Sequence, residues 1–403
     1  MSKKIRVAFI KYAGLSAGGT EKFLQVIAAN LPKDRFDVDY YYSDAAPYLG
    51  SNYRSKGTDS NRKAYMISKK VSLIEFNITS IDVRHRKHKW IKTNFWKLFK
   101  ESNYDIVQTG RAGPSEYPFY KLKNIPIVDS LHLIAGVDNQ FNISRVMHIS
   151  DWSANKWISM GGDVNRVVQV SMPMEITEKE NTSFRKEFNL ESKFIFGFHQ
   201  RDDNYIFSDI PLNAYKKIED DNTAFILMGG GDLYREQALK LGLKNIYFIP
   251  FTAKPELIYR FLRTLNVYSH GRKDGEVNST AMAEAMFFGL PIVSHVSDIN
   301  NGHIDSIANA GLVVKNIEDY IAELKKLKDN KVYYKEKLTI SKNRFDEHYS
   351  LDRQIKKIEY IYEDVVRNPF QGRTRNIFNY IKSEWKYFFY RLRRKLYKKY
   401  TKK

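Results

Sequence analysis

Short apolar runs alternate with amphipathic stretches from one end of the chain to the other, and this alternation constrains the fold more than any single motif. IRVAFI (5–10) precedes the helical EKFLQVIAANL (21–31), and DVDYYY, YDIVQT and IPIVDS follow as further strands. A new set opens with KFIFGFH near residue 193 and runs through TAFILMGGG, NIYFIPF, LNVYSH and LPIVSH, with helical patterns such as PELIYRFLRTL between them. Strands that alternate with helices build parallel sheets from βαβ units. Two such sets, with a seam around VSMPMEITEKEN (170–181), predict an α/β chain of two Rossmann-like domains. The length of 403 residues agrees, being too great for one hydrophobic core.

Composition narrows the class. With 43% hydrophobic and 28% charged residues the chain reads as soluble and globular. It contains no apolar run near the roughly 20 residues of a membrane span. MSKKIRVAFI enters a strand-like run directly and does not read as a signal peptide. Cysteine is absent, which excludes disulfides, thiolate metal sites and cysteine nucleophiles and is compatible with a reducing compartment.

In open α/β sheets ligands bind beyond the carboxyl ends of the strands, so the loops after strands are where chemistry is sought. YAGLSAGGTEKFLQVI (12–27) places Gly18 and Gly19 at a helix entrance, where backbone N–H groups can approach an anion. It also reads as a tight βα turn, and its spacing is not a dinucleotide fingerprint. MGGGDLYREQ (228–237), with Gly229 and Gly230, reads either as a phosphate- or base-binding loop or as a turn. In GFHQRDDNY (197–205) Arg201 suits a phosphate through its planar fork. Asp202 and Asp203 lack a third ligand nearby and read as solvated charges, so no metal site is expected.

HGRKDGEVNSTAMAEAMFFGLPIVSH (270–295) is the most informative stretch. Asn278, Ser279 or Thr280 can cap the helix, leaving Glu276 in the preceding loop and Glu284 inside the helix. Gly289 suits the left-handed residue past the helix end, and Pro291 prevents continuation. Glu284 sits among small and apolar residues without an obvious partner, which a purely structural helix does not explain. A carboxylate that accepts two sugar hydroxyls would.

The order of these motifs resembles that of a retaining glycosyltransferase of the GT-B fold, similar to glycosyltransferase family 4. The resemblance rests on Gly-Gly-x-Glu after the first strand, the Arg201 loop, the glycine-rich loop, and Glu-x7-Glu running into Ala-Met-x-x-Gly-x-Pro-x-Val, and it covers roughly residues 5–365. It implies two Rossmann-like domains facing a cleft, with residues 1–172 on the acceptor side, 173–345 binding a nucleotide sugar, and a helix within 346–370 returning toward the first domain. By the same resemblance Glu284 would hold the ribose hydroxyls and Glu276 the transferred sugar. The N–H groups of Asn278, Ser279 and Thr280 would meet the diphosphate, with Gly18 and Gly19 approaching from the first domain. Arg201 would neutralise phosphate charge, Gly229 and Gly230 would line the donor site, and His132 would stand near the reacting sugar. The donor would be a UDP- or GDP-sugar, with no cofactor and no metal. Two positions depart from the family pattern. The lysine expected about five residues after Arg201 is absent from RDDNYIFS, leaving Lys273 or Arg272 to supply the cation. Val277-Asn278-Ser279 replaces the usual Gly-Phe-Gly. These changes keep a second reading open, a GT-B-like sugar-nucleotide or membrane-binding assembly protein without turnover.

Charge is concentrated at the end of the chain. Residues 371–403 hold twelve Lys/Arg and one acid, so a net +11 of the whole chain's +20 lies there. Ile377, Ile381, Trp385, Phe389, Leu392, Leu396 and Tyr400 recur at steps of four or three, with Arg393 and Arg394 among the cations. That pattern describes an amphipathic helix on an anionic membrane. RHRKHKWIKTNFWKLFK (84–100), with seven Lys/Arg and two tryptophans, suggests that the first domain faces the same membrane. A peripheral enzyme on the cytoplasmic face acting on a lipid-linked glycan is the resulting expectation. A nucleic-acid patch and a helix packing on a partner subunit are the alternatives. No helix-turn-helix, RNA-recognition or zinc pattern supports nucleic acid.

Overall fold

The computed structural model describes residues 3–12, 14–16, 18–43, 57–82, 89–111, 117–122, 124–134, 136–138, 140, 142–177, 181–369, 385, 388, 389, 392 and 393. Residues 84–88 of the first basic stretch, Arg394 and most of the basic tail therefore lie outside the described residues. The chain divides into two compact units, Met1–Pro173 with Gln354–Lys403, and Met174–Arg353.

The first unit carries β1 (Ile5–Lys11), β2 (Phe36–Tyr42), β3 (Ser72–Glu75), β4 (Ile78–Asp82), β5 (Lys89–Thr93), β6 (Ile106–Arg111), β7 (Ile127–Leu131), β8 (Ile143–His148) and β9 (Val167–Gln169). Seven of these form a parallel sheet in the order β3-β2-β1-β6-β7-β8-β9, so the strand order reverses between β1 and β6. Every residue of β6, β7 and β8 is buried, as expected for strands covered on both faces. The helix Leu351–Arg367 returns to this unit from Gln354 onward; residues 346–353 stay with the second unit. Tyr362 donates to Gln108 Oε1 at 2.8 Å, Arg145 pairs with Asp364 at 2.6 Å, and Arg35 pairs with both Glu359 and Glu363.

The strands β4 and β5 pair antiparallel, and this corrects the reading of the 84–100 stretch. Trp90, offered as a membrane-facing tryptophan, is buried against Phe76 (centroids 5.1 Å) and Phe95 (5.5 Å). Only Trp96 of the pair reaches solvent, at 39% exposure. Alternation in a strand explains the outcome, since Trp90 turns inward and Ile91 outward.

The second unit carries β10 (Phe194–Gln200), β11 (Thr223–Gly229), β12 (Ile246–Ile249), β13 (Val267–Ser269), β14 (Gly275–Glu276), β15 (Ile292–His295), β16 (Asn300–Asn301) and β17 (Gly311–Val314). Its six-stranded parallel sheet runs β12-β11-β10-β13-β15-β17, reversing between β10 and β13. The helix Thr280–Phe287 begins at Ser279, whose hydroxyl accepts the Met282 N–H at 3.3 Å. It ends at Gly289, with φ +73°, where the Leu290 N–H bonds Ala285 O at 3.0 Å and the Gly289 N–H bonds Met286 O at 2.9 Å.

Candidate active site

In the second unit the carboxyl ends of β10 and β13 flank the point where strand order reverses, and both glutamates gather there. Glu276 sits on the two-residue strand β14, paired with Asn300–Asn301. Gly275 is required at this point, because at φ +60° a Cβ would lie 1.8 Å from Asn300 O. The Glu276 carboxylate is 17% exposed, 3.2 Å from Arg272 Nη1 and 3.3 Å from the Ser279 hydroxyl. Burial pushes its carboxyl up, and Arg272 pulls it back only in part. Burial works against the Arg272 charge too, and Asp274 and Glu276 more than offset that.

Glu284 does have a partner, supplied by a strand end distant in sequence. His199 Nε2 lies 3.2 Å from Glu284 Oε2, whose side chain is 14% exposed. Tyr268, fully buried on β13, donates to His199 O at 3.2 Å, and its hydroxyl lies 3.4 Å from His199 Nδ1. Its ring stacks on His270 at 6.5 Å, and His270 Nε2 lies 3.9 Å from Glu276 Oε1. A contiguous rung thus runs Glu284–His199–Tyr268–His270–Glu276. Burial raises the Tyr268 phenol well above its ordinary range, and both carboxylates push the same way. His270 is held well below its ordinary range by burial and then by His303, His295, Arg272 and His199. His303 accepts the Glu276 N–H on Nδ1 (3.4 Å) and bonds His295 O through Nε2 (3.0 Å), a neutral tautomer.

The surrounding loops sort into committed and uncommitted groups. Among the described residues the N–H groups of Asn278, Ser279 and Thr280 have no acceptor, and Thr280 is exposed at the helix entrance. Arg201 is 50% exposed and bonds Asp203 at 2.9 Å. Asp202 and Asp203 are not merely solvated: Asp202 accepts the Gly231 N–H at 3.0 Å, and Asp203 accepts the Tyr205 N–H at 3.1 Å. The glycine run clasps this same loop. Gly229, Gly230 and Gly231 all have φ between +77° and +90°, and the Gly230 N–H bonds Gln200 O at 3.2 Å. The amides of Gly230 and Gly231 are therefore bonded within the protein. Lys273 is exposed, has no ion pair among the described residues, and its N–H bonds Ile206 O at 3.2 Å. Ile206 is the fifth residue after Arg201, so Lys273 lies beside the position where a lysine was expected. Arg272 is already committed to Asp274 and Glu276.

The first unit has its own cluster at the strand ends. Lys11 at the end of β1 is 5% exposed, donates to Gly110 O at 2.9 Å and faces Glu21 at 3.6 Å. Gly18 and Gly19 open the helix Gly19–Asn30, and a Cβ on Gly19 would meet nothing within 4 Å. His132 follows β7, its N–H bonded to Arg111 O at 3.0 Å and its ring edge-on to Phe23 at 4.7 Å. Its Nε2 has no partner among the described residues. Burial, then Lys11, lowers its pKa to about 3, so the ring is neutral. Sequence reasoning missed Lys11, Arg111, Asp129, His148, His199, Tyr268 and His270. Their place at strand ends was the available signal. No group of three or more metal-ligating side chains occurs among the described residues.

Two Rossmann-like units, each with a parallel sheet whose strand order reverses, define the GT-B fold. Residues 179–347 of the chain match the family described as Glycosyl transferases group 1. Its fold is similar to that of a glycosyltransferase from Rickettsia africae (TM-score 0.67, 15% identity, covering 91% of this chain and 99% of that one). Anabaena HepE in complex with UDP-glucose is also similar (0.64, 16%, 89% and 100%). So is the lipopolysaccharide outer core galactosyltransferase WaaB (0.62, 14%, 89% and 100%). No curated protein matches by sequence.

Proposed function

We propose that the protein is a retaining glycosyltransferase that moves a sugar from a nucleoside diphosphate donor, UDP-linked in preference to GDP-linked, to a lipid-linked glycan. The observation that carries the reading is the rung joining Glu284 to Glu276 beside three uncommitted amides. Glu284 accepts the ribose hydroxyls, Glu276 a hydroxyl of the transferred sugar, and residues 278–280 meet the diphosphate. Arg201 and Lys273 add cations, and Gly229 and Gly230 shape the Arg201 loop. Gly19 needs no glycine for its own packing, which suits a backbone that a ligand approaches, with Gly18 beside it. HepE bound to UDP-glucose supports the uridine choice.

In the reaction the bond from C1 to the phosphate oxygen breaks as C1 bonds the acceptor oxygen on the same face. The acceptor proton passes to the departing phosphate. Charge grows on the diphosphate, so fixed N–H groups and cations that already point there lower the barrier. Neutral His132 can share a hydrogen bond with the sugar without adding charge. Release of UDP from UDP-glucose by wild type, lost in Glu276→Ala, tests this; equal release by both proteins contradicts it.

The site of action we propose is the cytoplasmic face of a membrane with anionic lipid. Trp385, Phe388, Phe389 and Leu392 are exposed beside Arg393 in a segment dense in Lys and Arg. Among the described residues no helix is long and apolar enough to cross a membrane. A second reading, a sugar-nucleotide-binding assembly protein without turnover, is favoured by one observation, Ile206 buried where a lysine was expected. Tight UDP binding with no turnover on a broad acceptor panel would select it.

A further inference from the structure

An ion pair that the proposed transfer does not use is buried where β6 meets β7 in the first unit. Arg111, the last residue of β6, is 2% exposed, and its Nε donates to Asp129 Oδ2 on β7 at 2.5 Å. Register places Arg111 opposite Leu131, and Leu131 opposite His148 of β8. Asp129, two residues before Leu131, lies on the same face of the sheet. Replacing a buried ion pair with apolar residues of similar volume is often neutral or stabilising, so stability alone does not account for one here. Such pairs are suited to fixing geometry, because they tolerate few alternative arrangements.

The geometry being fixed is visible in the other bonds of Arg111. Its carbonyl accepts the His132 N–H at 3.0 Å, where the chain leaves β7. Its Nη1 reaches Gly136 O at 3.4 Å, four residues further on. One residue thus holds both His132 and Gly136. His148 borders the cluster with its ring on Trp157 at 5.3 Å and its Nδ1 3.4 Å from the Ser153 hydroxyl. Phe23 supplies the other constraint on the His132 ring.

We infer that Arg111, anchored by Asp129, is a positioning residue that sets the place of His132 for the transfer reaction. The inference rests on the proposed role of His132 beside the transferred sugar. Arg111 touches no substrate in this scheme. Its planar fork can serve Asp129 and Gly136 together, and a lysine at this position can serve only one of them. A displacement of about 1 Å in a reacting group can cost on the order of 100-fold in rate.

The test compares wild type, Arg111→Lys, the double variant Arg111→Met with Asp129→Leu, and His132→Asn. The first readout is the imidazole ¹⁵N–¹H spectrum, with His132 assigned by its disappearance in His132→Asn; it requires no turnover. The second is UDP release from UDP-glucose, separated into kcat and KM. The expected result is a shifted or broadened His132 resonance in both Arg111 variants. With it, kcat falls on the order of 100-fold, donor KM changes less than about threefold, and the thermal midpoint of the double variant is kept. An unchanged His132 resonance in Arg111→Lys overturns the inference even if the double variant fails to fold. So does a kcat within about twofold of wild type in Arg111→Lys when His132→Asn abolishes release. Full release by His132→Asn overturns the proposed role of His132 itself, and this inference with it.

Discussion

Arg272 Nη1 lies 3.2 Å from Glu276 Oε2, and this contact gives a largely buried carboxylate its nearest full positive charge. The same guanidinium bonds Asp274 at 2.5 Å, so one arginine organises the loop that leads into the helix Thr280–Phe287. Removing it by Arg272→Met leaves Glu276 buried without that charge. A loss of about 3 kcal/mol is expected, since breaking a buried pair from one side is costly. Glu276→Gln, which keeps the shape, costs about 1 kcal/mol or less. Urea unfolding of the two variants checks the order; equal losses would mean the pair is not coupled.

Acid sensitivity follows from the first unit. Burial holds His132 and His148 near pKa 3, with Lys11 and Arg111 adding to the respective shifts. Unfolded imidazoles take up protons below about pH 6.5, and the folded ones do so only near pH 3. The unfolded state therefore binds more protons across that window, and stability present above pH 6.5 is lost as pH falls through it. Each ring contributes a loss of about 1–2 kcal/mol between pH 7 and 5. Urea midpoints at the two pH values measure it, and the double variant His132→Asn with His148→Asn is expected to show a flatter profile than wild type.

Two glycines make opposite predictions. Gly230 has φ +90° and its Cβ would sit 2.9 Å from the Tyr234 ring, so Gly230→Ala is expected to cost about 1–3 kcal/mol. Gly19 has open space and ordinary helical surroundings, so Gly19→Ala leaves the thermal midpoint unchanged or slightly raised. Its effect belongs to turnover, expected to fall if a diphosphate approaches that backbone. A destabilised Gly19→Ala would contradict the reading of the loop.

What was legible in the chain was local. IRVAFI, KFIFGFH and TAFILM read as parallel strands because they are predominantly apolar, and they lie in β1, β10 and β11. The helix carrying Glu284 showed a cap among Asn278, Ser279 and Thr280, which is Ser279, and its Gly289 stop within one short stretch. The strand β8 did not show, because Arg145 and His148 interrupt ISRVMH with polar groups; Asp364, on the returning helix Leu351–Arg367, pairs with Arg145. The partners of the two glutamates were hidden for another reason. His199 and Tyr268 are 69 residues apart and meet only because β10 pairs with β13, which no local pattern specifies.

Membrane association has its own test. Co-sedimentation with vesicles containing phosphatidylserine is expected for the full chain and strongly reduced after deletion of residues 371–403. Added salt should weaken it through screening. Equal sedimentation of the truncated protein would assign binding to another surface.

In the proposed function Glu284 grips the nucleoside of a donor whose sugar Glu276 meets. Calorimetric titration of UDP into wild type, Glu284→Ala and Glu276→Ala addresses it most directly. Glu284→Ala should lose on the order of 10- to 100-fold in UDP affinity, the scale of charge-assisted hydrogen bonds, with Glu276→Ala close to wild type because UDP carries no sugar at that end. Unchanged affinity in Glu284→Ala, with wild type binding UDP, would contradict the account.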